Sequence, residues 1–569
     1  MGPFREFRFL AIAGAALMAA GWFTPVRAQD QDDLKRGVAR ISLIDNEVSV
    51  RRGDSGEWVA AVVNAPLLSD DRISTGPNSR AEVEFDASNV LRIGGNAEVR
   101  LVQLEYGRYQ LEIARGTATW RVLRDTDANI EVDTPSVSVR PAKIGAYRIS
   151  VNEAGESQIT ARAGDVEVFT PRGSQWVTAG QTMLARGTQA DPEFQIVAAI
   201  APDDWDRWNE SRDQSQLQSR SYQYVGQGVY GAEDLDRYGS WDNVEPYGYS
   251  WHPTGVAADW APYESGRWAW EDWYGWTWVS YDPWGWAPYH YGRWFHHARY
   301  GWCWYPGVIG VRHYWSPALV AWFGWGGGSG FGFGFGNVGW VPLAPYEVFH
   351  PWWGRGYYGR GFGRNINITN VNITNVYRNA RVPGGVMGLR GGDFASGRFH
   401  NVQRVSGDQI RSAGLVRGQM PIAPGNQHLR FSDRQTAFQP RTNENMRFFR
   451  QQQPSAAPRM SFAQQRGVEQ PRRTFGGGNT PSVRGQEGFR GGQAPAAAAA
   501  PRVNENGGAG SWRRFGESGG RQNAGPQNVS PRNDVQNWGG SQNPAVQNTH
   551  PQQTPQMERG QTPNQNRKK

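Results

Sequence analysis

From Gly37 onward the chain alternates apolar and polar positions in short runs, each closed by Gly, Asp, Asn or Pro. Such runs fall at 38–44, 80–85, 90–93, 109–113, 117–122, 130–132, 137–139, 146–151, 157–161 and 166–169. Side chains in a strand point alternately to its two faces, so this pattern predicts half-buried strands of about four to six residues. Turn signals about every eight to twelve residues predict an all-β sandwich, barrel or stacked solenoid over 36–190. The passage 191–237 is polar and charged. It reads as a linker with one short helix near 203–216.

The pattern changes at Tyr238. Nineteen of the 27 Trp lie between Tyr238 and Trp353, and they recur. Trp260-Ala261-Pro262-Tyr263 returns as Trp286-Ala287-Pro288-Tyr289, and Gly266-Arg267-Trp268 as Gly292-Arg293-Trp294. Tyr274-Gly275-Trp276-Thr277-Trp278 returns as Tyr300-Gly301-Trp302-Cys303-Trp304, so all three pairs are 26 residues apart. An earlier copy over 238–253 is offset by 27, and a degenerate later one ends at Tyr346. Each unit reads as two strands, a tight turn and a Pro-bent return, because Pro283 and Pro288 cannot occupy a central strand. A lone hairpin is marginal in water, so the units of this 238–353 repeat domain must pack on one another.

Composition divides the remainder. Residues 354–380 include Asn365 to Val376, whose alternating β-branched positions predict one further strand. From 381 to 569 the chain is rich in Gln, Asn, Pro, Gly and Arg, with too little apolar surface to offset its conformational entropy, and a long disordered tail is expected. That tail holds 26 basic and 10 acidic residues, or +16, whereas 29–380 is near −10; tail and body are therefore expected to attract each other or an anionic partner. At the other end, Arg5 and Arg8 precede an apolar run to about Phe23 and then Val26-Arg27-Ala28. This is the form of a signal peptide over 1–28, cleaved after Ala28, and it predicts a periplasmic or secreted protein with no transmembrane segment after cleavage. Cys303 is the sole cysteine, so no internal disulfide can form.

Two segments carry family resemblances. Leu67 to Gly76, followed by Asn78-Ser79-Arg80-Ala81-Glu82-Val83, resembles the opening of FecR-type domains. Leu111 to Ala118, Val132 to Val137 and Ala163 to Val168 resemble later motifs of that family in order. The resemblance implies a β fold and an exported location; it supplies no catalytic residues, and the cytoplasmic segment and membrane helix of the family's signalling members have no counterpart here. The region 238–350, with its Y-G-x-W and G-W-x-P-x-A-P-x-E patterns ending in Glu347, resembles a Trp-rich bacterial domain of unknown function.

Candidate chemistry is sparse. Six His (His252, His290, His296, His297, His313, His350) match no known ligand spacing, and Glu271-Asp272 with Asp282 reads as solvated turn residues in preference to a catalytic pair. The Gly-rich run 326–336 lacks the Lys and helix of a phosphate cradle and reads as a flexible or strand-like connection. No enzyme, metal or cofactor is expected. Two faces of a small hairpin domain cannot both be buried, so half of the indole is expected to remain open to a ligand. The candidate contacts are Trp260, Tyr263, Trp268, Trp276, Trp286, Tyr289, Trp294 and Trp302. Their expected partner is an envelope protein or a cell-wall or anionic polymer, with no nucleic acid; the alternatives are sugar stacking on those platforms, or an accessory role in FecR-like envelope signalling.

Overall fold

The computed structural model describes residues 36–467, apart from 189, 333, 355–356, 358–365, 439, 441–445 and 455–458, together with 512–515. The expected signal peptide and most of the tail beyond 467 lie outside the described residues.

The alternating runs form two sheets, as expected for an all-β fold. Read from one edge, the first contains Trp58–Ala60, Val48–Arg51, Arg72–Thr75, Glu98–Glu105 and the first half of Arg108–Val122. It continues through Asn129–Asp133, Ser138–Pro141, Val166–Thr170 and Gly173–Val177. The second runs from Pro66–Leu67 through Ala39–Asp45, Arg80–Glu84, Asn89–Ile93 and the second half of Arg108–Val122. It then adds Gly145–Val151, Ser157–Ala163, Gln181–Thr188 and Asp191–Ala198. Successive strands wind between the sheets, and their apolar faces share one core around Ile41, Val83, Leu111, Trp120, Val139 and Ile159. The shared strand changes sheet at Gly116, where φ is +84° and a Cβ would lie 2.5 Å from the Ala97 Cα. Only glycine accepts both demands cheaply.

Before Ser138–Pro141, which has neighbours on both sides, the Thr134 hydroxyl closes a turn by accepting the Val137 N–H at 3.1 Å. One expectation needs adjustment: the passage 191–237 is not a free linker. Its start is the strand Asp191–Ala198, and the helix Asp204–Leu217 is held flat on the second sheet by charge rather than by an apolar stripe. The Arg92 guanidinium donates to the Asn209 carbonyl and the Asp213 and Gln216 side chains at 2.6–3.0 Å, while Arg212 reaches back to Glu82 at 2.5 Å.

The repeats fold as hairpins. Gly239–Val244 pairs with Gly248–Pro253, Gly266–Glu271 with Gly275–Ser280, Arg293–His297 with Gly301–Tyr305, and Val320–Gly332 with Phe335–Pro342. Each places one Trp opposite another: Trp241 and Trp251, Trp268 and Trp278, Trp294 and Trp304, Trp322 and Trp340. The Gly-rich run 326–336, expected as a flexible or strand-like connection, is strand-like: it falls within the strands Val320–Gly332 and Phe335–Pro342 at the tip of the fourth hairpin.

That hairpin recruits the further strand expected within 365–376, observed as Ile366–Val371, and chain beyond 381 expected to carry no packed structure. Ile366–Val371, Ala413–Gly418, Met387–Arg390 and Gln403–Arg404 complete a six-stranded sheet around it. Met387, Leu389, Phe394, Leu415 and Phe431 are buried, so the expected disorder of the tail does not hold over 386–431. The glycines that suggest low complexity are sites of ring contact. A Cβ at Gly388 would lie 2.2 Å from the Trp325 ring, and one at Gly414 would lie 2.6 Å from Phe335. The repeat domain supplies the apolar surface that this stretch lacks.

Candidate interaction surface

The eight aromatic residues singled out as ligand contacts line the interior. Tyr263, Trp268, Trp276, Trp286, Tyr289, Trp294 and Trp302 are buried, and Trp260 is half-buried against Trp284 and Trp294. Trp268 packs on Trp322 and Trp278 with centroids 4.2 and 5.2 Å apart. Tyr263 and Tyr289, equivalent in the 26-residue repeat, meet edge to face at 4.7 Å, and the Tyr263 hydroxyl donates to the Tyr289 carbonyl. The expectation of open platforms fails because the hairpins are not a separate small domain. Phe394 and His428 from the later chain cover Trp276, Gly385 closes on Trp302, and Tyr230 covers Trp286.

Buried charge joins the parts. Arg52, just after the strand Val48–Arg51, donates to Glu271 of the second hairpin at 2.5 and 2.9 Å, to the Trp270 carbonyl at 2.7 Å, and to Asp54 at 2.8 and 3.1 Å. Arg459, far along the chain, enters the same cluster through Asp71 at 2.5 Å, with Asp54, Glu271 and Asp272 at 3.4–3.7 Å. Four carboxylates thus share two guanidinium groups. Burial and the neighbouring Asp54 outweigh the arginines at Glu271 and push its carboxyl up to about 8. Asp272 is raised to about 6, chiefly by burial. These two acids are therefore not the solvated turn residues expected. A second junction binds the buried Arg40 to Glu84 at 3.2 Å and to Asp234.

The remaining candidate chemistry is engaged internally. Asp282 accepts from the Tyr289 hydroxyl at 2.7 Å, and burial raises it to about 6. Burial holds the His290 imidazole down to about 3, with its Nδ1 facing the Ser316 carbonyl at 2.7 Å, and pushes the Cys303 thiol up to about 12. Among the described residues, no group of three or more His, Cys, Asp or Glu is placed to hold a metal ion. Nor is any helix there long and apolar enough to cross a membrane.

What faces solvent was missed in the sequence. Between the third and fourth hairpins, Val308, Ile309, Val311 and Tyr314 are 59%, 51%, 53% and 42% exposed. Their loop is pinned at its base: the His313 N–H donates to the Gln227 carbonyl at 2.7 Å, and the Trp315 N–H to the Tyr106 hydroxyl at 3.3 Å. Gly307-Val308-Ile309-Gly310-Val311, an apolar run that fits no repeat position, was its sequence signal. A second exposed group lies at the last Ala-Pro-Tyr-Glu turn. Tyr263 and Tyr346 adopt the same positive φ, +64° and +68°, and Glu264 and Glu347 each accept the N–H of the Ala three residues back. Tyr263 has Tyr289 from the next unit to cover it. Tyr346 terminates the series and is 77% exposed, with Tyr247 and Tyr305 beside it at 6.1 and 6.4 Å.

Comparison with known proteins places names beside this geometry. Residues 71–167 match the FecR protein family, and residues 232–347 match a family of unknown function, DUF6600. No curated protein matches. Two solved structures of a putative anti-sigma factor from Parabacteroides distasonis are similar at 18% and 17% identity, each with 23% of this chain and 60% of that chain covered. Their TM-scores are 0.20 and 0.21.

Proposed function

From a FecR-type domain joined to a DUF6600 domain, we propose that this chain is an exported, non-enzymatic scaffold that docks an envelope protein in a signalling context. The observation that carries the reading is the loop with Val308, Ile309, Val311 and Tyr314 exposed on a base fixed by hydrogen bonds. Exposed apolar clusters held on a rigid body mark protein contacts. Aliphatic tips make poor contacts to sugars or anionic polymers, which favours a protein partner. The sugar-stacking alternative loses its platforms, since the rings proposed for it are packed against one another. Support for a binding role over catalysis comes from Glu271, Asp272 and Asp282, whose carboxylates face arginines or a tyrosine inside the protein.

The test is photocrosslinking in cells from a reactive side chain at Ile309, with Asp204 on the exposed side of the helix as control. A discrete protein adduct at Ile309, absent at Asp204 and lost with Val308→Ser and Val311→Ser, is expected. Adducts no different from the control would overturn the reading.

A further inference from the structure

The outer face of the first sheet carries a row of acids that the sheet's own arginines neutralise only in part: Arg100 reaches Glu112 at 3.4 Å and Arg140 reaches Glu131 at 3.3 Å. In the parallel pairing of Arg108–Val122 with Asn129–Asp133, Glu131 lies beside Gln110 and Asp133 beside Glu112. All four side chains are buried, although they point away from the aliphatic core. A piece of distant chain, bent at Gln451 and Gln452, lies on them. Arg450 donates from Nε to Glu112 at 3.1 Å, and its Nη2 pairs with the same carboxylate. The backbone N–H groups of Gln451 and Gln452 both donate to Glu131 Oε1, at 2.8 and 2.9 Å. The Phe449 N–H donates to the Thr134 carbonyl at 3.1 Å, and Gln110 donates to the Gln452 carbonyl at 3.0 Å. Asp133 Oδ1 stays without a hydrogen-bond partner beneath this segment.

This is the contact set of a peptide-recognition groove. A guanidinium is read by a carboxylate, and two successive amides converge on one oxygen of a second carboxylate, which demands a bent backbone there and excludes proline. We propose that Gln110, Glu112, Glu131 and the Thr134 carbonyl form a binding groove for an arginine-bearing protein segment that bends just after the arginine, and that residues 449–452 occupy it in cis until a partner segment of the same chemistry displaces them. The tethered segment competes at an effective concentration of order millimolar, so the groove is masked and a free peptide binds weakly to the intact chain. The groove is separate from the loop at 308–314 and stands or falls independently of it.

The experiment uses the full chain and a fluorescent peptide of sequence Met-Arg-Phe-Phe-Arg-Gln-Gln-Gln-Pro, corresponding to 446–454. The Arg450→Glu chain is expected to bind this peptide at least tenfold more tightly than the wild-type chain. Adding Glu131→Gln should reverse the gain, as should a peptide with proline in place of the residue matching Gln452, which lacks the amide read by Glu131. Equal binding to both chains, or undiminished binding of the proline peptide, overturns the proposal. Should Arg450→Glu fail to fold, hydrogen exchange at the Gln451 and Gln452 amides of the wild-type chain decides. Exchange much faster than in the core strands supports a displaceable segment; protection equal to theirs overturns it.

Discussion

Trp268 and Trp294 occupy equivalent repeat positions and are both sealed, yet their indole N–H groups differ. Trp294 Nε1 donates to the Pro288 carbonyl at 2.8 Å, whereas Trp268 Nε1 is buried among rings with no hydrogen-bond partner. Replacing either by Phe removes the same atoms, so the loss of volume largely cancels in the comparison. In Trp294→Phe a buried carbonyl loses its donor, at a cost of about 1–3 kcal/mol beyond the volume term. In Trp268→Phe an unsatisfied donor disappears, and that penalty is relieved. Trp294→Phe is therefore expected to be less stable than Trp268→Phe by about 2 kcal/mol or more. Urea unfolding of the full chain followed by circular dichroism reads the difference as a shift in midpoint at unchanged slope. Equal midpoints, or a lower one for Trp268→Phe, would refute the claim that the orphan indole is a real burden on this core.

Other consequences can be measured with the same chain. Arg52→Ala leaves Glu271 and Asp54 buried without their main cation and should cost about 3–5 kcal/mol. Glu271→Gln, which removes a carboxyl already held up at about 8, should cost much less. The raised carboxyls of Glu271, Asp272 and Asp282 favour the folded chain at low pH, and their contribution declines as pH rises from about 4 through their folded values of about 8, 6 and 6. Glu271→Gln should accordingly flatten the fall in stability between pH 6 and 8. At Glu82, burial is more than offset by Arg92 and Arg212, which hold the carboxyl at about 2; its contribution is present above about 4.5 and lost as pH falls towards 2. His290, kept neutral by burial, likewise contributes above about 6.5 and loses that contribution as pH falls towards 3. Tyr346→Ser should change stability by less than about 0.5 kcal/mol, given the exposure of the ring, and an unfolding midpoint well below wild type would show that the ring is structural.

The sequence by itself determined the strands. Alternation marks them because a strand half-buried on one core must repeat every two residues, and the 26-residue period located the second and third hairpins. It also identified the FecR-type and Trp-rich segments and placed the helix near 203–216. What it left open is which face each element covers. Trp268 and Trp276 lie on the one aromatic face of their strands, and only tertiary packing decides that this face is sealed: Trp322 and Trp340 close on Trp268, and Phe394 and His428, which arrive with 386–431, close on Trp276. That arrival was illegible because Gly388 and Gly414 read as loose chain until Trp325 and Phe335 are laid across them. The same holds for Arg52, Glu271 and Arg459, separated by hundreds of positions: local pattern reports exposure or burial of a residue against its neighbours, whereas the pairing of distant charges is fixed by tertiary packing alone.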